Sequence, residues 1–184
     1  TETAINALGP CVTTLQQEEL LTALDALTAD DYILISGSFC QGVTAGLVEK
    51  IGARVLEAGA RLITDIPNLT IANYQKIKPY LIKPNLEELA MIFQKEINEV
   101  NYPNYADALI SAGVENVLVS LGKDGAYFAN QHQRFQLSGP DVEVVNTVGC
   151  GDSMLACTVA SLARHASLDE ALKYGEAAGR AKAQ

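Results

Sequence analysis

Three short aliphatic runs constrain this chain more than any other feature: Tyr32-Ile-Leu-Ile-Ser36, Arg61-Leu-Ile-Thr-Asp65 and Asn116-Val-Leu-Val-Ser120. None of them alternates apolar with polar residues, so each reads as a strand buried on both faces. Tyr80-Leu-Ile-Lys83 is a shorter run of the same kind. Segments with helical spacing separate them, at Val43 to Gly59 and then at about 70–78, 86–94 and 104–113. Buried strands joined through helices imply right-handed parallel βαβ units. After Ser120 the texture changes. Gly122-Lys-Asp-Gly125 reads as a turn, strand-like pieces follow at about 125–129, 133–137 and 141–145, and Ala-rich helices at about 151–165 and 168–182 complete the chain. The expected class is α/β with a mostly parallel sheet. No linker or repeat divides it, so residues 1–184 read as a single α/β domain. Residues 1–10 resemble the tail of a strand running into a Gly9-Pro10 turn, and the last helix has no stop signal, so both ends read as cut.

Composition narrows the function. Thirteen Lys and Arg stand against 22 Asp and Glu, a net charge of -9. That balance argues against a nucleic-acid or anionic-membrane surface and for a small-molecule partner. No apolar stretch approaches the ~20 residues that span a bilayer, and no secretory signal opens the sequence. Cys11, Cys40, Cys150 and Cys157 form no CxxC pair and the two histidines stand far apart, which disfavours a zinc site or disulfide scaffold and fits a reducing cytoplasm.

In open α/β sheets ligands sit beyond the carboxyl ends of the strands, so the residues that follow each run carry the chemistry. The most informative stretch is Thr147-Val-Gly-Cys-Gly-Asp-Ser153, which leads into a helix. Unpaired N–H groups at a helix N-terminus bind phosphate oxygens, and Gly149 and Gly151 let the backbone approach them closely. Asp152 in the first turn is placed to take a proton from a hydroxyl attacking that phosphate. The plainer account is a Gly-rich turn with Asp as a favourable N-terminal charge. In Lys83-Pro-Asn-Leu-Glu-Glu88, Asn85 and Glu88 form an Asn variant of the capping box. The functional account has Lys83 meeting a phosphate as a point charge, with Asn85 and Glu88 holding Mg²⁺ partly through waters. Val119-Ser-Leu-Gly-Lys-Asp-Gly-Ala126 is a strand, turn and strand against whose Ser120–Gly122 backbone a nucleotide can lie. GxxxxGK[ST], GxSxG and GxGxxG fingerprints are absent, which leaves a P-loop NTPase, an α/β-hydrolase and a dinucleotide-binding Rossmann domain unsupported.

Together with Ile35-Ser-Gly-Ser38, these segments in this order resemble the ribokinase-like (PfkB-type) carbohydrate kinases, within them the phosphofructokinase and tagatose-6-phosphate kinase branch. The resemblance implies a ribokinase-like three-layer α/β/α fold and transfer of a phosphoryl group from ATP·Mg²⁺ to a hydroxyl of a ketohexose phosphate. It makes Asp152 the catalytic base and the backbone of Gly149, Cys150 and Gly151 the anion hole. Asn85 and Glu88 match an NxxE motif tied to Mg²⁺ and phosphate, Lys83 matches a residue near the ATP phosphates, and Ser120, Gly122, Gly125 and Thr147 are assigned to the nucleotide. Cys150 departs from the usual Ala or Ser, and Ala156-Cys157 from a small residue and glycine. The resemblance also places the family's first strands, a substrate-binding Asp and a dimer-forming β-lid before residue 1, and its final helix after residue 184. A nucleotide-binding fragment without catalysis, and the same fold acting on 6-phosphofructose, an unphosphorylated sugar or a nucleoside, are the alternatives.

Overall fold

The computed structural model describes residues 9–139 and 142–184, so the strand tail expected at the start falls largely outside the described residues. Its strands are β1 (Tyr32–Ser36), β2 (Arg61–Asp65), β3 (Leu81–Ile82), β4 (Asn116–Ser120), β5 (Ala126–Asn130) and β6 (Arg134–Leu137). They form one sheet in the order β1-β2-β3-β4-β5-β6. β1 to β4 run parallel, and β5 and β6 are added antiparallel. The helices are α1 (Thr14–Ala23), α2 (Ala45–Glu57), α3 (Ile71–Ile77), α4 (Leu86–Phe93), α5 (Tyr102–Ser111), α6 (Cys150–Leu162) and α7 (Leu168–Ala183).

Side chains of a strand alternate between faces, and both faces of β2 to β5 are covered. Leu62, Ile82, Val117 and Val119 pack with Val48, Ile51, Leu89 and Leu109, from α2, α4 and α5. Ile63, Leu81, Leu118 and Phe128 pack instead with Met154, Leu155 and Leu172 of α6 and α7. The expected three-layer α/β/α arrangement follows from this double burial, worth about 1.5–3 kcal/mol for each large side chain removed from water. Local signals set the helix starts: Thr70 with Asn73, Asn85 with Glu88, and Ser167 with Glu170 each form a reciprocal capping box. Among the described residues, no helix is long and apolar enough to cross a membrane.

Four segments differ from expectation. Tyr32–Ser36 is a strand but not one buried on both faces: at the edge of the sheet none of its residues is buried, and Leu34 is 42% exposed. Residues 142–145 form no strand; the N–H groups of Val145 and Asn146 donate instead to the carbonyl of Ala183, at 2.8 and 3.2 Å. The third run shortens to Leu81–Ile82, because Pro84 has no N–H to continue the ladder. Helix α1 buries none of its residues, so no apolar stripe announces it.

α6 and α7 approach through glycine. A Cβ on Gly175 would lie 2.0 Å from the Thr158 hydroxyl and 2.7 Å from the Met154 carbonyl. Thr158 is fully buried and donates to that same carbonyl at 2.8 Å, so it cannot swing aside. Gly175→Ala should therefore lower stability by about 1–3 kcal/mol through overpacking, against roughly 1 kcal/mol gained in helix propensity. Urea unfolding measures the difference, and a more stable variant would show that the helices separate freely.

Candidate active site

The carboxyl edge of the parallel strands gathers the polar residues. Ser36 pairs with Asp65 at the end of the β1–β2 ladder, and the β2–β3 register continued by one residue sets Lys83 beside Asp65. By alternation, Asp65 shares the face of Ile63 and Lys83 that of Leu81, the face covered by α6 and α7. Lys83 Nζ lies 3.3 Å from Asp65 Oδ2, with side chains 7% and 10% exposed. β4 reaches the same edge: Ser120 N–H donates to the Pro84 carbonyl at 2.9 Å, and Ser120 bridges to Asn85.

Helix α6 brings its N-terminus over this edge. Gly149 takes the left-handed conformation (φ +79°) and offers no side-chain cap. The N–H of Cys150 donates to the Thr147 carbonyl at 3.2 Å and that of Ser153 to the Gly149 carbonyl at 2.9 Å. The N–H groups of Gly151 and Asp152 find no partner among the described residues. Gly151 sits so close to the lysine that a Cβ there would come 2.8 Å from Lys83 Nζ. An ammonium and two free N–H groups thus converge on one spot, which suits the oxygens of a phosphoryl group.

Acidic groups surround that spot. Burial raises the Asp65 carboxyl above its usual range, Lys83 opposes the shift, and Asp152 adds to it. Burial also raises Glu88; the Asn85 N–H and Lys83 counter it, and Asp65 adds to it. The Asn85–Glu88 capping box is closed in both directions: Glu88 N–H donates to Asn85 Oδ1 at 2.8 Å, and Asn85 N–H to Glu88 Oε2 at 2.9 Å. The structural account of this pair therefore holds, and only the second oxygen of Glu88 stays outside the cap.

The sequence-derived residues divide between two adjoining hollows. Lys83, Glu88 and Asp152 line one of about 300 Å³ together with Ser36, Gly37, Ser38 and Asp65. Asn85, Ser120, Gly122, Gly125, Thr147, Cys150 and Gly151 line a groove of about 280 Å³. Gly125 shapes the groove's turn: its φ is +87°, and a Cβ would meet the Leu137 carbonyl at 2.0 Å. Gly149 lies at the junction of the two as the helix cap. Asp65 carries no signal beyond its strand-end position, and Glu176 and Arg180, an ion pair in the groove wall, carry no motif at all. Their spacing of four residues looks like an ordinary surface helix pair.

Val142, Val144 and Met154 line the same groove as Cys150 and Gly151, so an apolar wall adjoins the open N-terminus of α6. The other hollow fits a magnesium ion that keeps most of its water. Three carboxylates face one ammonium there, yet no cluster of three ligating side chains exists among the described residues. Mg²⁺ needs only one or two carboxylates when phosphate oxygens and water supply the rest.

Residues 1–184 match the family described as pfkB family carbohydrate kinase. The chain is 32% identical over 173 residues to D-tagatose-1-phosphate kinase of Bacillus licheniformis, covering 93% of this chain and 57% of that protein. It is 31% identical over 183 residues to 1-phosphofructokinase of Bacillus subtilis, covering 99% and 60%. Phosphofructokinase-2 from Escherichia coli in complex with fructose-6-phosphate superposes with a TM-score of 0.86 at 26% identity, over 97% of this chain and 59% of that one. The chain therefore spans somewhat over half the length of the relatives it matches.

The raised Glu88 carboxyl has a consequence for stability. Its folded pKa lies above its unfolded one, so the folded state holds the extra proton and loses stability as pH rises through that interval. Glu88→Gln retains a side-chain oxygen for the cap and removes the charge. The variant should melt above the wild type at pH 7, with the gap closing toward pH 4. Parallel thermal melts at the two pH values test this, and a variant that melts lower at pH 7 contradicts it.

Proposed function

The chain belongs to the pfkB family of carbohydrate kinases, and on that premise we propose that it carries the nucleotide and catalytic-base half of an ATP-dependent ketohexose-phosphate kinase. One observation carries the proposal: Lys83 Nζ, the open N-terminus of α6 and the carboxylate of Asp152 meet at the junction of groove and hollow. The groove takes ATP, with Ser120, Gly122, Gly125 and Thr147 along the nucleotide and its terminal phosphates toward Gly149, Cys150 and Gly151. The hollow beside Asp152 takes the sugar phosphate. Two relatives are named as kinases of 1-phosphorylated ketohexoses and one related structure holds fructose-6-phosphate, which supports a ketohexose phosphate as acceptor.

Asp152 accepts the proton of the sugar hydroxyl as its oxygen attacks the γ-phosphorus. The bond between that phosphorus and the β,γ-bridging oxygen breaks, and ADP leaves with the electron pair. Proton abstraction of this kind contributes about 10²–10⁴ in rate. The N–H groups of Gly151 and Asp152, with Lys83, hold the negative charge on the transferred group, usually the larger electrostatic contribution. Glu88, through the oxygen its cap leaves free, would hold Mg²⁺ partly through water, with Asn85 fixing Glu88 through the cap, and the ion would supply charge neutralisation between the phosphates. The four cysteines are unpaired, in keeping with a reducing cytoplasmic setting.

A second reading has its own support. Asp152, Ser36, Gly37 and Ser38 are all exposed, so the described residues by themselves do not shut water out of the acceptor hollow. On that reading this stretch of chain binds MgATP without turning over.

ADP release by the chain with MgATP and fructose 1-phosphate, tagatose 1-phosphate or fructose 6-phosphate separates the two. Turnover on one sugar should fall at least about 100-fold in Asp152→Asn while MgATP affinity stays within a few-fold. Near-wild-type turnover in the variant removes Asp152 from its role. MgATP binding with silence on every sugar assigns the second reading.

A further inference from the structure

Glu176 and Arg180 stand about one turn apart on α7 and form a buried ion pair. Arg180 Nε donates to Glu176 Oε1 at 2.7 Å, and the side chains are 13% (Arg180) and 7% (Glu176) exposed. Arg180 Nη2 also donates to the Lys123 carbonyl at 3.4 Å, which ties α7 to the turn that edges the groove. Glu176 as a whole is 5% exposed, and its second oxygen, Oε2, is buried with no hydrogen-bond partner. A buried carboxylate oxygen without a donor is costly, and native structures rarely leave one without a purpose.

Its position suggests that purpose. α7 packs alongside α6 with Gly179 against the Cys150 carbonyl and Gly175 against Met154 and Thr158. Lower numbers on α7 therefore lie farther from the α6 N-terminus. Glu176 stands about 4.5 Å beyond Gly179, from the helical rise over three residues. Of the α7 residues that line the groove, it stands farthest along the helix from the α6 N-terminus. With phosphates at the helix terminus, the part of the groove beside it receives the base.

We infer that Glu176 selects the nucleobase, its unpartnered Oε2 accepting a hydrogen bond from the 6-amino group of adenine. The assignment rests on the groove being the nucleotide site, as proposed above. An ionised carboxylate only accepts, and Arg180 already occupies the other oxygen, so the remaining one demands an N–H donor. Adenine carries an amine at position 6. Hypoxanthine carries a carbonyl there, which would face the carboxylate oxygen lone pair to lone pair.

Calorimetric dissociation constants for MgATP, MgITP and the magnesium salt of purine riboside triphosphate, which lacks any 6-substituent, test this on the chain as it is. The two analogues should bind about tenfold or more weakly than MgATP, the value of one charge-assisted hydrogen bond. Glu176→Gln sharpens the test. Arg180 Nε would hold the amide oxygen, so the amide NH₂ takes the place of Oε2 and turns an acceptor into a donor. The preference should then swing toward MgITP by at least about tenfold. A wild type that binds all three nucleotides within twofold overturns the inference while leaving the groove a nucleotide site. A Glu176→Gln variant that weakens MgATP and MgITP equally overturns it too, because that is what a purely structural pair would do. Absence of binding by any of them overturns the nucleotide site itself. The wild-type comparison alone decides the matter if the variant does not fold.

Discussion

A lysine ammonium buried at the carboxyl edge of the sheet governs the arrangement around it. Lys83 is 6% exposed, and an unpaired charge there would be strongly unfavourable. Asp65 from the neighbouring strand offsets it at 3.3 Å, an answer available only because register and alternation place both side chains on the α6 face. The pair is close to neutral, so it cannot by itself attract a polyanion. The net positive potential comes from the helix end laid against it, and Gly151 permits that contact because any side chain would strike the ammonium. Removing one partner of such a pair would leave the other buried and uncompensated, usually a larger loss than the pair's own contribution.

Delivery of that helix end depends on packing some distance away. α6 is held by Met154 and Leu155 against Ile63, Leu81 and Leu118, and by its glycine-mediated contact with α7. The loop before α6 is tied in turn to the last residues of α7 through the Ala183 carbonyl. The same two helices supply the wall of the groove, so the position of the α6 N-terminus and the shape of the groove are not independent. A shift of α7 along α6 would move Glu176 and Gly149 together.

Much of this was legible in the sequence where burial and local chemistry agree. Arg61–Asp65 and Asn116–Ser120 stand as strands with covered faces on both sides, while Tyr32–Ser36, at the sheet edge, is a strand whose Leu34 stays exposed. The Asn85 cap and the helix start at Gly149-Cys150 follow from glycine and side-chain acceptors a few residues apart. Legibility failed where the partner is distant in the chain. Val142 to Val145 has strand-like residues, yet what it meets is the end of a helix nearly 40 residues on, an arrangement no local pattern encodes. Asp65 looked like any strand-terminal acid until Lys83 was placed next to it. Glu176 and Arg180 carry the i, i+4 pattern of a solvated helix face, and only the tertiary packing of α7 buries them.

The proposed function has an acidic chain bind a polyanion, which poses an electrostatic question of scale. The net charge of -9 acts over distances at which salt screens it, about 8 Å at physiological ionic strength. Within that distance the arrangement decides. Asp65, Glu88 and Asp152 face a single ammonium; burial raises the carboxyls of Asp65 and Glu88, and the neighbouring carboxylates add to the shift. A bare triphosphate entering beside those carboxylates would add to the repulsion. The same triphosphate with its divalent cation relieves it, because the cation answers the carboxylates and the phosphates at once. On the proposed function the acid excess would act as discrimination: the hollow would disfavour the free nucleotide and accept the metal-bound form, with the α6 N-terminus and Lys83 orienting what has been neutralised.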